Sequence, residues 1–234
     1  MTNCLAHNDL SNRVCTAVGR PDINQTEVEK FQTLLKEAFT DTDDRIILNA
    51  DESHWKVLMP PRRCITHKGS DSVKISINGD KRAGFTILST ISSDGDKFPL
   101  VLFAEGSTEK YHKQLGVHPK YIYKVVHSTS GWMNEAIFIE YLSWIRTLVN
   151  QKKIYLIADQ FGPHFGKDAE AHATSLHIKL IPVPKGGTGI YQPLDRGIFG
   201  IMKKKGAAEW AKMCSRNPQK KWDKQTATEI ALES

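Results

Sequence analysis

The sequence predicts a mixed α/β domain: one sheet, built from an antiparallel hairpin and then a βαβ unit, with helices on both faces. Three observations predict it. Short β-rich runs broken by turn residues fill the stretch from Arg45 to Ala104. From Asn134 onward, helical and strand patterns alternate, the order that parallel strands with right-handed crossovers require. The composition, 40% hydrophobic and 25% charged over 234 residues, is that of a globular chain with enough apolar material for its own core.

The elements follow in order. Residues 1–25 show no periodicity and read as a loose tail. A helix is expected from Thr26, whose side chain caps it while Glu29 reaches back. Val28, Phe31, Leu34 or Leu35, and Ala38 then recur at helical spacing. Thr40-Asp41-Thr42-Asp43-Asp44 ends that helix. Arg45 to Ala50, carrying Ile46-Ile47-Leu48, reads as a buried strand that stops at Asp51. Val73 to Ile77, Gly84 to Ile91 and Phe98 to Ala104 are strand-like. Between the last two, Ser92-Ser93-Asp94-Gly95-Asp96 is hairpin turn chemistry. Residues 106–128 read as a long irregular connection.

In the second half, Asn134 to Val149 sets Ile137, Phe138, Tyr141, Leu142 and Ile145 on one helical face. Ile154 to Ala158 is a short strand ending at Asp159. Lys167 to Leu176 reads as a polar helix, and Ile178 to Val183 as a strand. Gly186-Gly187-Thr188-Gly189 reads as a plain loop, and a last helix begins near Leu194. The expected organisation is a tail and helix over 1–44, a main domain over 45–213 and a basic tail over 214–234.

The longest clean apolar run, Pro99 to Ala104, is far too short to span a membrane. Met1 to Arg20 holds no continuous apolar segment of the kind a secretory signal needs. The four cysteines, Cys4, Cys15, Cys64 and Cys214, form no Cys-x-x-Cys pair. Reduced thiols in a cytosolic or nuclear compartment are expected, and the nucleus is the expected location, with the cytoplasm as alternative. No His-Glu-x-x-His, Gly-x-Gly-x-x-Gly or P-loop pattern occurs, which argues against zinc hydrolysis and nucleotide binding.

Charge is uneven. The net is +6, yet residues 1–44 carry four basic and eight acidic side chains, leaving 28 basic against 18 acidic in the rest. A basic body suits a polyanion, nucleic acid first, and the alternative is a solvated face. Arg62, Arg63 and Lys68 after the first strand, and the Lys203-Lys204-Lys205 run, are the candidate phosphate contacts. Trp132 and Trp144 read as core rather than as base-stacking platforms.

Asp51 follows the first strand, Asp159 follows the first strand of the βαβ half, and Asp195 sits at the mouth of the last helix. In α/β sheets ligands collect beyond the carboxyl ends of parallel strands. Three carboxylates meeting there repel one another unless a cation or proton intervenes. Magnesium suits such hard oxygen ligands, and a pair of ions is a known arrangement for phosphodiester chemistry. The alternative for each aspartate is a simple turn former or helix-start residue.

The surrounding residues narrow the choice. Asn49-Ala50-Asp51-Glu52-Ser53 resembles the first-aspartate motif of the DDE superfamily endonucleases, transposase-derived proteins of the pogo, Tigger and jerky type that include centromere protein B. Ser128-Thr129-Ser130-Gly131-Trp132-Met133 resembles the segment opening the helix before the second aspartate. Leu156-Ile157-Ala158-Asp159, with His164 five residues on, resembles the second-aspartate strand. Tyr191-Gln192-Pro193-Leu194-Asp195 matches the most specific motif, and 35 residues separate Asp159 from Asp195.

The resemblance runs from about residue 45 to residue 205 and implies a ribonuclease H-like fold, with three antiparallel strands and then two parallel to the first. It implies Asp51, Asp159 and Asp195 as catalytic metal ligands for two Mg²⁺ or Mn²⁺ ions, with Glu52, His164 and Gln192 accessory. It implies DNA strand cleavage followed by attack of the freed 3′ hydroxyl on target DNA. The alternative is a catalytically silent DNA- or chromatin-binding protein, and a metal nuclease acting on RNA is a third reading. DNA is the expected partner, with a homodimer a possible assembly. Gln160-Phe161-Gly162-Pro163-His164 replaces the more usual Asp-Asn start, so a different local turn is expected. Two helix-turn-helix modules, which family members carry ahead of this domain, do not fit in the 44 residues before the first strand.

Overall fold

The computed structural model describes residues 23–56, 84–105, 122–128, 133–216 and 230–231. Its centre is a six-stranded sheet in the order β4-β3-β2-β1-β5-β6. β2 (Gly84–Ser92) runs antiparallel to both β1 (Arg45–Lys56) and β3 (Leu100–Glu105), while β5 (Lys153–Asp159) and β6 (Ile178–Val183) run parallel to β1. The mixed order expected from the sequence is the observed one.

Helix α1 (Gln25–Thr40) lies on one face of the sheet. Its Phe31 and Ala38 pack on Ile47 of β1, Tyr155 and Ile157 of β5, and Ile181 and Val183 of β6. The opposite face carries α2 (Glu135–Leu148) and α3 (Lys167–Ser175) over Ile46, Leu48, Ile154, Leu156 and Ile178. The alternation is that of strands buried on both sides: successive residues of β1 and β5 feed opposite cores. Ala169 and Ala173 are both buried on α3, and their small side chains let it approach the α2 layer closely. Trp144 is core, as expected.

Several boundaries differ from the sequence reading. α1 is capped by Asn24, whose Oδ1 accepts the Thr26 N–H at 2.9 Å, so the cap lies two residues before the expected one. β1 does not stop at Asp51. Its antiparallel pairing with β2 continues from Leu48↔Ser92 to Lys56↔Gly84, and that ladder outweighs the turn preference of Asp51 and Glu52. The end of the segment expected to be irregular forms β4 (Ile122–Ser128), parallel to β3 at the sheet edge. The expected loop Gly186 to Gly189 gives way at Thr188 to a short helix α4, which spans Thr188–Tyr191. The last helix starts as a π-turn over Leu194–Ile198 before becoming α5 (Phe199–Arg216).

The hairpin turn follows its chemistry. Gly95 adopts φ +93°, open to glycine without strain. Ser92 Oγ accepts the Asp96 N–H at 3.0 Å. At the far end of the sheet Arg146 closes α2, donating to the carbonyls of Leu176 at 3.1 Å, Lys152 at 2.7 Å and Val149. The expected strand Val73 to Ile77 lies outside the described residues.

Candidate metal and nucleic-acid site

The site forms where β1 and β5 part. Their parallel pairing ends at Asn49↔Ile157, although β1 continues along β2 and β5 continues along β6 to Asp159↔Val183. The two strands therefore part at the carboxyl end of β5, the usual ligand position of an α/β sheet. Asp51 stands two residues past the last parallel pair on one side, and Asp159 ends β5 on the other.

Strand alternation sends neighbours to opposite faces. Asn49 and Asp51 face the layer of α4 and the π-turn, whereas Ala50 and Glu52 face that of α2. Asp51 is 5% exposed, and its Oδ2 is buried without a hydrogen-bond partner among the described residues. Burial, and then the negative charges of Asp195, Glu52 and Asp159, push its carboxyl up to about 8, against a hydrogen bond from Gln192 that favours the charged form. Asp195 is exposed on the first turn of the last helix. Loss of solvent raises its pKa, Lys203 pulls it down and Asp159 raises it again. The three aspartates are near enough to act on one another's charge, but the ligand atoms that lie within 4.8 Å of one another among the described residues are those of Glu52, Asp159 and His164 rather than of the three aspartates.

Asn49 and Gln192 sit beneath the acidic cluster, buried. Asn49 Nδ2 donates to the Ile157 carbonyl at 3.1 Å and to Gln192 Oε1 at 2.9 Å, while its Oδ1 accepts the Leu194 N–H at 3.1 Å. Gln192 Nε2 donates to the Ala50 carbonyl at 3.4 Å.

His164 closes the other face. The turn Gly162–His164 is a single 3₁₀ turn with Pro163 at its start, and it sinks the imidazole to 1% exposure. Nε2 lies 3.1 Å from Glu52 Oε1. Nδ1 is 2.9 Å from Asp159 Oδ1 and 3.3 Å from the Asp159 carbonyl, with its N–H aimed at the carbonyl and the carboxylate held by charge. Burial opposes the cation, but the contacts with Asp159 and Glu52 outweigh it and push His164 up to about 10. Phe138 and Phe161 pack on the ring at centroid distances of 4.5 and 5.6 Å. His164 is a buried cation between two carboxylates, and one oxygen or nitrogen from each of Glu52, Asp159 and His164 lies within 4.8 Å of the others.

Lys203, Lys204 and Lys205 are exposed on α5. Lys203 is close enough to act on the charge of both Asp195 and His54, so a cation flanks the acidic cluster. Arg62, Arg63 and Lys68 lie outside the described residues. The roles of Asn49 as a junction and of Glu52 as the partner of His164 were not legible beforehand. A buried asparagine between apolar strand residues was the available signal for the first.

The mixed sheet, with acidic side chains gathered where β1 and β5 part, defines a ribonuclease H-like fold. The sequence pattern of the DDE superfamily endonucleases matches residues 81–233, and the chain belongs to that family. The matched stretch includes Asp159 and Asp195 and begins after Asp51. CENP-B homolog protein 2 of Schizosaccharomyces pombe is 24% identical over 189 residues, 77% of this chain and 35% of that protein. The bifunctional NAD(P)H-hydrate repair enzyme Nnr of Vibrio cholerae is 23% identical over 151 residues, 64% of this chain and 27% of that enzyme. The chain thus spans about a third or less of the curated relatives it matches. The crystal structure of the Mos1 mariner paired-end complex with Mn superposes with a TM-score of 0.59 at 12% identity, covering 99% of this chain and 66% of that one.

Proposed function

We propose that this chain is the catalytic part of a metal-dependent DNA endonuclease and strand transferase, with Asp51, Asp159 and Asp195 as ligands for two Mg²⁺ or Mn²⁺ ions. One observation carries the reading. Asp51 is 5% exposed, its Oδ2 has no hydrogen-bond partner among the described residues, and burial, then the charges of Asp195, Glu52 and Asp159, holds its carboxyl up at about 8. The donor set is all oxygen, which suits hard divalent cations. Mos1 complexes have been crystallised with Mg and with Mn, in support.

When bound, a pair of such ions activates an attacking oxygen and stabilises the leaving one. The chain supplies the positioning. Asp51 is held rigidly in mid-sheet, Asp159 is steadied from behind by His164, and Asp195 enters from the last helix. Lys203, with Lys204 and Lys205 beyond it, is placed to take the DNA backbone beside the acidic cluster, a salt-sensitive contact. Glu52 faces away from Asp51 and serves through His164. A nuclear setting and a homodimer are parts of this reading, tested by localisation of the tagged chain and by sedimentation.

The likeness to a CENP-B homolog supports a second reading, a DNA- or chromatin-binding protein without cleavage. Without a glycine-rich nucleotide motif, the likeness to Nnr suggests no nucleotide chemistry here. Calorimetric Mn²⁺ titration and plasmid nicking, on wild type and Asp159→Asn, separate the readings. Saturable binding and nicking that both vanish in the variant support the enzyme. DNA binding with neither Mn²⁺ uptake nor nicking in wild type supports the silent protein, and preferred cleavage of RNA would replace both.

A further inference from the structure

We propose that Asn49 and Gln192 are positioning residues, a buried carboxamide clamp that holds the turn carrying Asp195 against the strands carrying Asp51 and Asp159 before any cation arrives. The inference deepens the proposed function and rests on its reading of the three aspartates as cation ligands. Asn49 is 4% exposed and Gln192 0%. Their hydrogen bonds reach the main chain beside each aspartate: Ala50 next to Asp51, Ile157 two residues before Asp159, and Leu194 next to Asp195. The mutual bond at 2.9 Å joins the two carboxamides into one unit.

Packing alone does not call for these side chains. Flanking positions of β1 are apolar, and an unpaired amide at this depth would be costly. The π-turn gives the clamp its purpose. The first N–H groups of a helix have no partner within it, and the Leu194 N–H, one residue before Asp195, is taken by Asn49 Oδ1. Asp195 is itself exposed, so its position is set by its backbone, and Asn49 fixes that backbone to β1. π-turns recur at functional sites in helices.

The test uses the 234-residue chain, with Mn²⁺ as the probe and amide hydrogen exchange as the structural readout. Asn49→Ala is expected to weaken Mn²⁺ binding about 10- to 100-fold, the usual effect of removing an outer support of a metal ligand. In an Asp195→Asn background the same change should produce no further loss, because the clamp acts through Asp195. Exchange over residues 193–199 should accelerate in Asn49→Ala while β5 stays protected. Wild-type affinity in Asn49→Ala, or an equal loss in the Asp195→Asn background, overturns the clamp and leaves the metal reading standing. A wild type that binds no Mn²⁺ overturns the metal reading, and the positioning role with it. Should Asn49→Ala not fold, Gln192→Met is read the same way. The Leu194 amide of metal-free wild type must also be protected, and free exchange there overturns the proposal by itself.

Discussion

His164 Nε2 lies 3.1 Å from Glu52 Oε1 while Nδ1 lies 2.9 Å from Asp159 Oδ1, so one buried imidazolium joins the end of β5 to the middle of β1. Glu52 and Asp51 are adjacent in sequence and serve opposite faces of the sheet. The histidine therefore offsets the acidic cluster from behind, while Lys203 acts on the cluster through Asp195.

Removing that histidine leaves two carboxylates facing a cavity. His164→Ala is expected to cost about 2–3 kcal/mol in urea unfolding, below the usual loss for a fully buried pair because Asp159 is 32% exposed. Glu52→Gln should cost less, since it keeps an acceptor. Equal stability of His164→Ala and wild type would show that the imidazolium bridge contributes nothing.

Asp51 makes the metal-free protein less stable. The unfolded chain releases this proton near the ordinary value of about 4, whereas the folded chain holds it to about 8. Stability therefore falls as pH rises through that window. Asp51→Asn should raise metal-free stability at pH 7 by about 1–3 kcal/mol, with the gain vanishing near pH 4. Saturating Mn²⁺ should reverse the order by stabilising only the wild type. Denaturation midpoints at the two pH values, with and without Mn²⁺, decide it.

At the opposite end of β5, Asp41 accepts from Lys153 Nζ at 2.7 Å and from the Tyr155 hydroxyl at 2.5 Å. The Lys153 contact first, then Tyr155, hold its carboxyl well below the ordinary range. A depressed carboxyl stabilises the fold above its unfolded pKa of about 4 and ceases to do so as pH falls. Asp41→Asn should be less stable than wild type at pH 7, and the gap should close in acid. A gap independent of pH would remove the ion pair from the account.

Gly166 precedes α3 at a close approach. A Cβ there would stand 1.9 Å from Glu135 Oε1, the atom that accepts the Ala169 N–H at 3.1 Å. The glutamate is flexible, so Gly166→Ala should displace it rather than break the fold, at a cost of about 1 kcal/mol for the lost cap. Glu135→Ala should cost the same amount, and the double variant no more than either. Additive losses in that cycle would contradict the shared contact.

Much of this architecture was legible along the chain. Ile178 to Val183 and the helix beginning after Asn134 stand out because apolar periodicity is a local property. The three aspartates were legible from short motifs, and from Asp159 falling where a strand ends. Strand length was not. β1 runs through Asp51 to Lys56 because β2, beginning at Gly84, offers it partners that no local preference reveals. The cap at Asn24 was missed because Thr26 and Glu29 mimic a capping box two residues on.

By itself, then, the sequence determined the order and type of most elements, and the residues able to gather negative charge at one end of the sheet. Tertiary structure alone decided how that charge is managed. Whether a side chain lies on one face of a strand or the other depends on register with partners far along the chain. That register sets Glu52 against His164, leaves the buried Asp51 Oδ2 without a hydrogen-bond partner among the described residues, and passes the Leu194 N–H to Asn49. Such contacts join residues more than a hundred positions apart, and no local pattern encodes them.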